Sequence, residues 1–411
     1  MAAERPRILF LTRNCPHGPS FGAQLRTLHT ARHLQRCGDL SVALILLHEP
    51  DKASLSKTEA EFGLAANLRM CRSPIRGFSA RLRHELDPWF LNTEGWELDP
   101  HDASRVSDLI SRHDVVWIHN VAVANGARIN SCPSSVLDVD DLQSRYSGSA
   151  FKSSSRLRER VLTLRRAWLW KRREGMLLRR FTVLTVCSEA DRAYLGGGDR
   201  IHVIPNGFDL SEVPVRSLSN PPRIGFIGLL RYPPNDQGVR WFAAEIWPRI
   251  KQSFPAARLR LIGAGADPGL GGMGPDIDVL GWIDEPSSEM ASWSLMITPI
   301  QMGGGTRIKI AEGFARKIPV VSTSLGAFGY GVTSGKELLL ADRSEDFAQA
   351  CLSILRNPEL GARLAECGWE QYSKRWTWAA IGPGVHAAVE RALQSQRPCR
   401  WNRTAMQMEA E

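Results

Sequence analysis

The sequence predicts an α/β protein built from two doubly wound domains that face each other across a cleft. Three observations carry that expectation. Residues 7–47 read as strand, loop, helix, strand, with glycines in the loop. A second alternation of strands and helices begins after residue 222. Late in that second array, GGGTRIKIAEGFARKIP (303–319) places a glycine turn between a strand and a helix. Ligands of open α/β sheets bind outside the carboxyl ends of the strands, so two such arrays predict a site between them.

In the first half, Arg7–Thr12 is an apolar run suited to a buried strand. A loop with Pro16, Gly18, Pro19 and Gly22 follows, then Leu25, Leu28, Ala31 and Leu34 at helical spacing, then a strand over Ser41–Leu47. The loop lacks the GxGxxG spacing, so no dinucleotide is indicated and no cofactor is expected. DVVWIH (114–119) and SVLD (135–138) are further strands with polar ends. His119 is a candidate catalytic or acceptor-binding residue, weighed equally against a hydrogen-bonded structural histidine. Asp138, Asp140 and Asp141 (DVDD) allow a metal-binding DxD for Mg²⁺ or Mn²⁺, a cleft carboxylate cluster that orients a hydroxyl, or a strand-end turn.

Residues 152–180 are dense in Arg and Lys interleaved with leucines, Trp168 and Trp170. A solvated basic helix is favoured there over a membrane-surface face. Nucleic acid ranks third, because no recognition module accompanies the charge. TVLTVC (182–187) and Ile201–Ile204 complete the first array, followed by the turn Pro205-Asn206-Gly207.

Residues 211–222, rich in proline and serine, are the expected linker. The second array then runs through strand Arg223–Leu230, a helix carrying Val239, Phe242, Ile246 and Ile250, and strands Leu259–Ile262, Val279–Ile283, 295–300, Pro319–Ser322 and Glu337–Ala341. After the strand at 295–300, Ile308, Ala311, Phe314 and Ala315 mark a helix. Glycines let backbone approach a ligand closely, and the unpaired N–H groups of a new helix favour an anion. Arg307 is expected in the loop, with Lys309 and Glu312 on one helix side. A nucleotide diphosphate is the predicted ligand; a solvated helix start with idle charges is the alternative.

The 411 residues allow two or three domains, and the net charge of +9 suits anionic substrates or an anionic membrane surface. Eight dispersed cysteines without a CxxC pair suggest reduced thiols. No signal-peptide pattern and no apolar run near the ~20 residues of a membrane span are present. The expected location is cytoplasmic, with peripheral contact at the inner face of the membrane as its variant.

VCSEADRAYL (186–195), RIHVIPNGFDL (200–210) and MGGGTRIKIAEGFARKIPVVSTSLGAFG (302–329), in that order, resemble the group 1 (family 4) glycosyltransferases. The loop around Gly22 and IGLLRYPPNDQGVRWF (227–242) match more weakly. The resemblance covers nearly the whole chain. It implies two Rossmann-like domains in the GT-B arrangement: an acceptor-side domain over 1–212, a nucleotide-sugar domain over 213–375, a helix crossing back over 376–396, and a flexible tail over 397–411.

It also implies sugar transfer with retention from a UDP- or GDP-linked donor to a saccharide or lipid-linked acceptor, without an essential metal. Polysaccharide or glycolipid assembly is the implied setting. By this resemblance Glu312 holds ribose hydroxyls, the amides at Gly305 and Thr306 meet the diphosphate, Trp282 and Ile283 flank the base, and Gly22 approaches the phosphate from across the cleft.

Three departures stand out. The first glutamate of the family's pair is replaced by Gly304. Leu229 and Pro234 replace an Arg and a Lys, which shifts phosphate neutralisation to Arg231, Arg307 and Lys309. Asp140 stands nearest to where some relatives carry a cleft histidine. Lys309, Arg307, Asp140 and His119 are therefore the candidate catalytic residues. The rivals are a metal-dependent transferase using the aspartates, a sugar-nucleotide epimerase or hydrolase, and a non-catalytic scaffold.

Overall fold

The structure, a computed structural model, describes residues 5–18, 22–153 and 157–395. Pro19, residue 396 and the expected tail over 397–411 lie outside the described residues.

The first half supplies strands β1 (Arg7–Thr12), β2 (Asp39–Leu46) and β3 (Leu64–Arg69), a small antiparallel ribbon of β4 (Cys71–Arg72) and β5 (Trp96–Glu97), then β6 (Val115–His119), β7 (Cys132–Asp140), β8 (Phe181–Val186) and β9 (Ile201–Val203). The second half supplies β10 (Arg223–Ile227), β11 (Arg258–Ile262), β12 (Ile277–Gly281), β13 (Leu295–Thr298), β14 (Val320–Ser322) and β15 (Leu339–Leu340). Two sheets result, ordered β3-β2-β1-β6-β7-β8-β9 and β12-β11-β10-β13-β14-β15. Every pairing within them is parallel.

Parallel sheets are covered on both faces, which is why their strands read as continuous apolar runs rather than alternating ones. Ile8 to Leu11 are all fully buried, as are Leu295, Met296 and Ile297. In both sheets the strand order reverses beside the first strand, between β1 and β6 and between β10 and β13. Those reversals open the crevices in which α/β folds hold ligands.

The chain passes between the domains twice. Phe208 N–H donates to Trp376 O (2.9 Å), Trp378 N–H donates to Asp209 Oδ1 (2.9 Å), and Tyr372 Oη donates to Phe208 O (3.0 Å). Helix Trp378–Gln394 then packs on the first sheet, where Trp378, Ile381 and Val385 share a core with Phe10, Leu34 and Val136. A Cβ at Gly207 would fall 2.6 Å from Ile381 Cδ1 and 3.0 Å from the Trp378 ring, so a larger residue at the crossing would force those side chains to shift.

Several boundaries differ from the expectation, each for a local reason. The strand expected over Arg223–Leu230 stops at Ile227, because Gly228 takes φ 154°. The strand expected over Val279–Ile283 spans Ile277–Gly281 and ends on Gly281 at φ 71°, leaving Trp282 and Ile283 in the following loop. The helix after Tyr232 begins at Pro233 and carries a π-helical turn over Phe242–Ile246, in which Trp247 N–H reaches Phe242 O just before Pro248. Strand β3 has no counterpart in the sequence reading; its alternating buried and exposed positions span only six residues.

Candidate active site

The second domain's crevice is built from the ends of β10 and β13. Beyond β13 the chain makes its glycine turn, with Gly303 at φ 129° and Gly305 at φ 65°, and enters helix Ile308–Ala315 at Arg307. Arg307 lies outside the helix proper, and its guanidinium donates to the carbonyls of Gly304 (2.6 Å) and Gly305. Tyr330 Oη donates to Arg307 O at 2.8 Å. Arg307 thus braces the turn with its own charge.

Lys309 turns back under β10. Its Nζ donates to Asn235 Oδ1 (2.8 Å) and lies 4.0 Å from the Phe226 ring centroid. A Cβ at Gly228 would stand 2.9 Å from that ammonium, so glycine opens the space beside it. Burial, then the Arg307 charge, lower the Lys309 pKa to about 7, against the pull of Glu312. Among the described residues its ammonium faces Asn235 as sole hydrogen-bond partner, so two N–H donors remain for a ligand. Glu312 is occupied by Arg316, whose Nε and Nη2 donate to Oε1 at 3.1 and 3.0 Å. Burial pushes the Glu312 carboxyl up, and Arg316 opposes it.

The first domain faces this turn with the end of β7. A register shift between Asp138 and Asp140 bends the strand, and Asp140 takes φ 56°, a conformation that costs a non-glycine residue energy. Asp138 points inward, where Arg26 donates to it from Nε (2.9 Å) and Nη2 (2.6 Å), and Thr185 Oγ1 donates at 2.8 Å. Burial disfavours its charge, yet the Arg26 guanidinium holds its carboxyl below the usual range. The metal-site alternative that used Asp138 meets an obstacle here: its oxygens are committed to protein donors.

Asp140 accepts from Cys187 Sγ (3.2 Å) and Asn206 Nδ2 (3.5 Å). Asp141 abuts the glycine turn so closely that a Cβ on Gly305 would sit 1.6 Å from its Oδ1. Burial and the Asp140 charge push the Asp141 carboxyl up.

The two domains meet through this edge. Asn206 Nδ2 donates to Thr306 Oγ1 (3.1 Å), Ser149 Oγ donates to Gly303 O (3.0 Å), and Gly303 N–H donates to Ser149 Oγ (2.8 Å). Gly22 opens helix Gly22–Cys37, and its absent Cβ would lie 3.0 Å from Ile308 Cδ1. Gly22, Asp140, Asp141, Gly304, Gly305, Thr306 and Arg307 are thereby gathered on one interdomain seam, while the Lys309 ammonium lies within the second domain against Asn235 and Phe226.

The remaining predicted residues are placed differently. His119 is 2% exposed, with Nδ1 3.3 Å from Thr12 Oγ1 and 3.4 Å from Thr27 Oγ1. Burial lowers its pKa, against the pull of the Asp138 and Asp140 charges. Its Nε2 has no partner among the described residues. A buried polar atom of that kind calls for a water or ligand. Arg231 is exposed and lies against Gly265, whose missing Cβ would fall 2.8 Å from the Arg231 Cβ. Trp282 is 47% exposed with Nε1 donating to Asp284 Oδ1 (2.7 Å), while Ile283 packs against the second domain's core.

Arg26, Asn206, Asn235 and Arg316 were missed by the sequence reading. Arg26 sat in a helix read only for its apolar face. The signal for Arg316 was its i+4 spacing from Glu312.

With the geometry established, comparison with known proteins shows what the chain is similar to. Sucrose-phosphate synthase from Thermosynechococcus elongatus superposes with a TM-score of 0.65 at 16% identity, covering 92% of this chain and 97% of its own. Anabaena HepE, solved with UDP-glucose, gives 0.63 at 18% identity over 92% and 98%. WaaG, a glycosyltransferase involved in lipopolysaccharide biosynthesis, gives 0.59 at 12% identity over 92% and 98%. The fold is GT-B.

Residues 221–357 match the family model of glycosyl transferases group 1. Among curated proteins, an uncharacterized glycosyltransferase of Methanocaldococcus jannaschii is 31% identical over 109 residues, 26% of this chain and 30% of that one. An uncharacterized 44.6 kDa protein from the cps region of Klebsiella pneumoniae is 26% identical over 146 residues, 32% of this chain and 37% of that one. The chain thus matches about a third of the length of these curated relatives.

Proposed function

We propose that this chain is a retaining glycosyltransferase that moves a sugar from a nucleotide-sugar donor to a saccharide or lipid-linked acceptor without an essential metal. The observation that carries the reading is the buried Lys309 ammonium at the β10/β13 reversal, held by Asn235 beside Gly228 with hydrogen-bonding capacity left over. Departure of a nucleoside diphosphate concentrates negative charge on its oxygens. A cation and preorganised backbone N–H groups stabilise that charge where a metal would otherwise be needed.

In this reading Lys309 and the amides of Gly305 and Thr306 receive the diphosphate. Glu312, held in place by Arg316, receives the ribose hydroxyls. Trp282, half-exposed, is assigned to the base, and Arg231 supplies charge near the phosphates. Arg307 acts by fixing the turn. Asp140 and the unpaired Nε2 of His119 are the groups assigned to sugar or acceptor hydroxyls. HepE binds UDP and UDP-glucose, and TarM was solved with UDP, which favours UDP over GDP as the donor nucleotide. Polysaccharide or glycolipid assembly is supported by WaaG and by the cps-region relative.

The test is incubation of EDTA-treated protein with UDP- and GDP-sugars, with and without lipid-linked and saccharide acceptors. Acceptor-dependent release of nucleoside diphosphate, with the anomeric configuration kept in the product, is expected. Loss of activity restored only by Mn²⁺ or Mg²⁺ would reject metal independence. Isomerised or hydrolysed donor without acceptor would point to an epimerase or hydrolase, and tight nucleotide binding without turnover to a scaffold.

A further inference from the structure

The first domain carries a surface that the proposed chemistry does not use. In helix Leu157–Glu174, Leu157, Val161, Leu164 and Trp168 recur at i, i+4, i+7 and i+11, which is one stripe of an α-helix. Such a stripe ordinarily faces a core. Here its members are 77%, 59%, 55% and 55% exposed.

Beside it lies helix Phe78–Leu86, which has no buried residue at all. Phe78, Leu82 and Leu86 repeat at i, i+4 and i+8 and are 82%, 46% and 58% exposed. The two helices are tied together by Arg165 donating to Glu85, by Arg172 Nη2 donating to Leu86 O (3.0 Å) and by Arg173 Nη2 donating to His84 O (2.6 Å). Apolar burial, the usual source of helix stability in a folded protein, is therefore absent along these outer sides, and a contiguous exposed apolar face of this kind marks an interaction surface.

Charge selects the occupant. Arg160 and Lys171 flank the Leu157–Trp168 stripe on one side and Arg172 on the other, where Arg165 is paired with Glu85, while helical spacing puts Glu159 on the far side. Arg172 also stacks over the Trp168 ring at 4.7 Å. A second copy of this helix would set arginine against arginine along both margins, which disfavours self-association. An anionic lipid surface reverses that sign: acyl chains take Leu, Val and Trp, and headgroups take the guanidinium and ammonium groups.

We infer that the paired helices Phe78–Leu86 and Leu157–Glu174 form a docking face for an anionic bilayer. No helix is long and apolar enough to cross a membrane among the described residues, so the association is at the surface. The inference stands apart from the catalytic reading, because vesicle binding needs no donor and no turnover.

The full chain is mixed with phosphatidylcholine vesicles, with and without phosphatidylglycerol, and sedimented. Binding to the phosphatidylglycerol vesicles is expected, with release as ionic strength rises from about 0.1 M towards 1 M. The paired exposed substitutions Leu164→Ser and Trp168→Ser, checked for folding by circular dichroism, should weaken it roughly tenfold or more. Absence of binding, equal binding to phosphatidylcholine alone, or binding that the pair leaves unaltered overturns the inference. So does a concentration-dependent dimer that the same substitutions abolish, which would assign the stripe to a second copy.

Discussion

A lysine whose pKa lies near 7 changes its charge when an anion arrives, and Lys309 is in that position. On the proposed function, nucleoside diphosphate binding should draw a proton onto Nζ near neutral pH. Calorimetry in buffers of different ionisation enthalpy should show that uptake, and affinity should fall as pH rises above about 7, by at most tenfold per pH unit for one linked proton. Lys309→Ala should lower kcat by about 10²–10³-fold while KM moves little, because the contact strengthens as the leaving group takes up charge. An effect on KM alone would assign Lys309 to ground-state binding. Arg307→Ala tests a different role: with its guanidinium on the Gly304 and Gly305 carbonyls, its loss should loosen the turn and raise KM together with lowering kcat.

Between elements, two buried carboxyl contacts bear on stability. Arg26 on helix Gly22–Cys37 and Asp138 on β7 are 0% and 1% exposed in their side chains. Arg26→Met would leave Asp138 charged and unpaired in the core, at a cost of roughly 3–5 kcal/mol by chemical denaturation. Glu174, on the last turn of its helix, accepts from Ser144 N–H (3.0 Å) and from Ser144 Oγ. Burial raises its pKa to about 7 despite those donors.

The folded state of Glu174 therefore binds its proton more tightly than the unfolded chain does. Its contribution is complete below the unfolded pKa near 4.5 and is lost as pH rises through about 7. Glu174→Gln should remove that part of the pH dependence, a slope of at most about 1.4 kcal/mol per pH unit between those values. Denaturation midpoints measured across that range would check it. An unchanged slope would mean that the carboxyl is ionised in the folded protein.

For the whole molecule, the seam between the domains is narrow enough to be set by single atoms. Gly305 combines φ 65° with a Cβ position 1.6 Å from Asp141 Oδ1. Gly305→Ala should prevent the two edges from meeting while leaving each sheet intact. Small-angle scattering should report a larger radius of gyration, with secondary structure by circular dichroism unchanged. An unaltered scattering profile would mean that Asp141 gives way instead.

The sequence by itself determined the α/β alternation, the restart after residue 222 and the helix that follows the glycine turn. Each depends on local periodicity, and a continuous apolar run bounded by glycine is legible wherever it falls. Strand ends were less legible, because Gly228 and Gly281 stop β10 and β12 by backbone conformation rather than by any change of composition. The amphipathic stripe from Leu157 to Trp168 was readable as a pattern, but a pattern does not say whether a neighbour covers it. Only the tertiary structure decided the partners. Arg26 reaches Asp138 across 112 residues and Lys309 reaches Asn235 across 74. Polar contacts of that separation leave no period in the chain, since what brings their atoms together is the stacking of strands around the two order reversals.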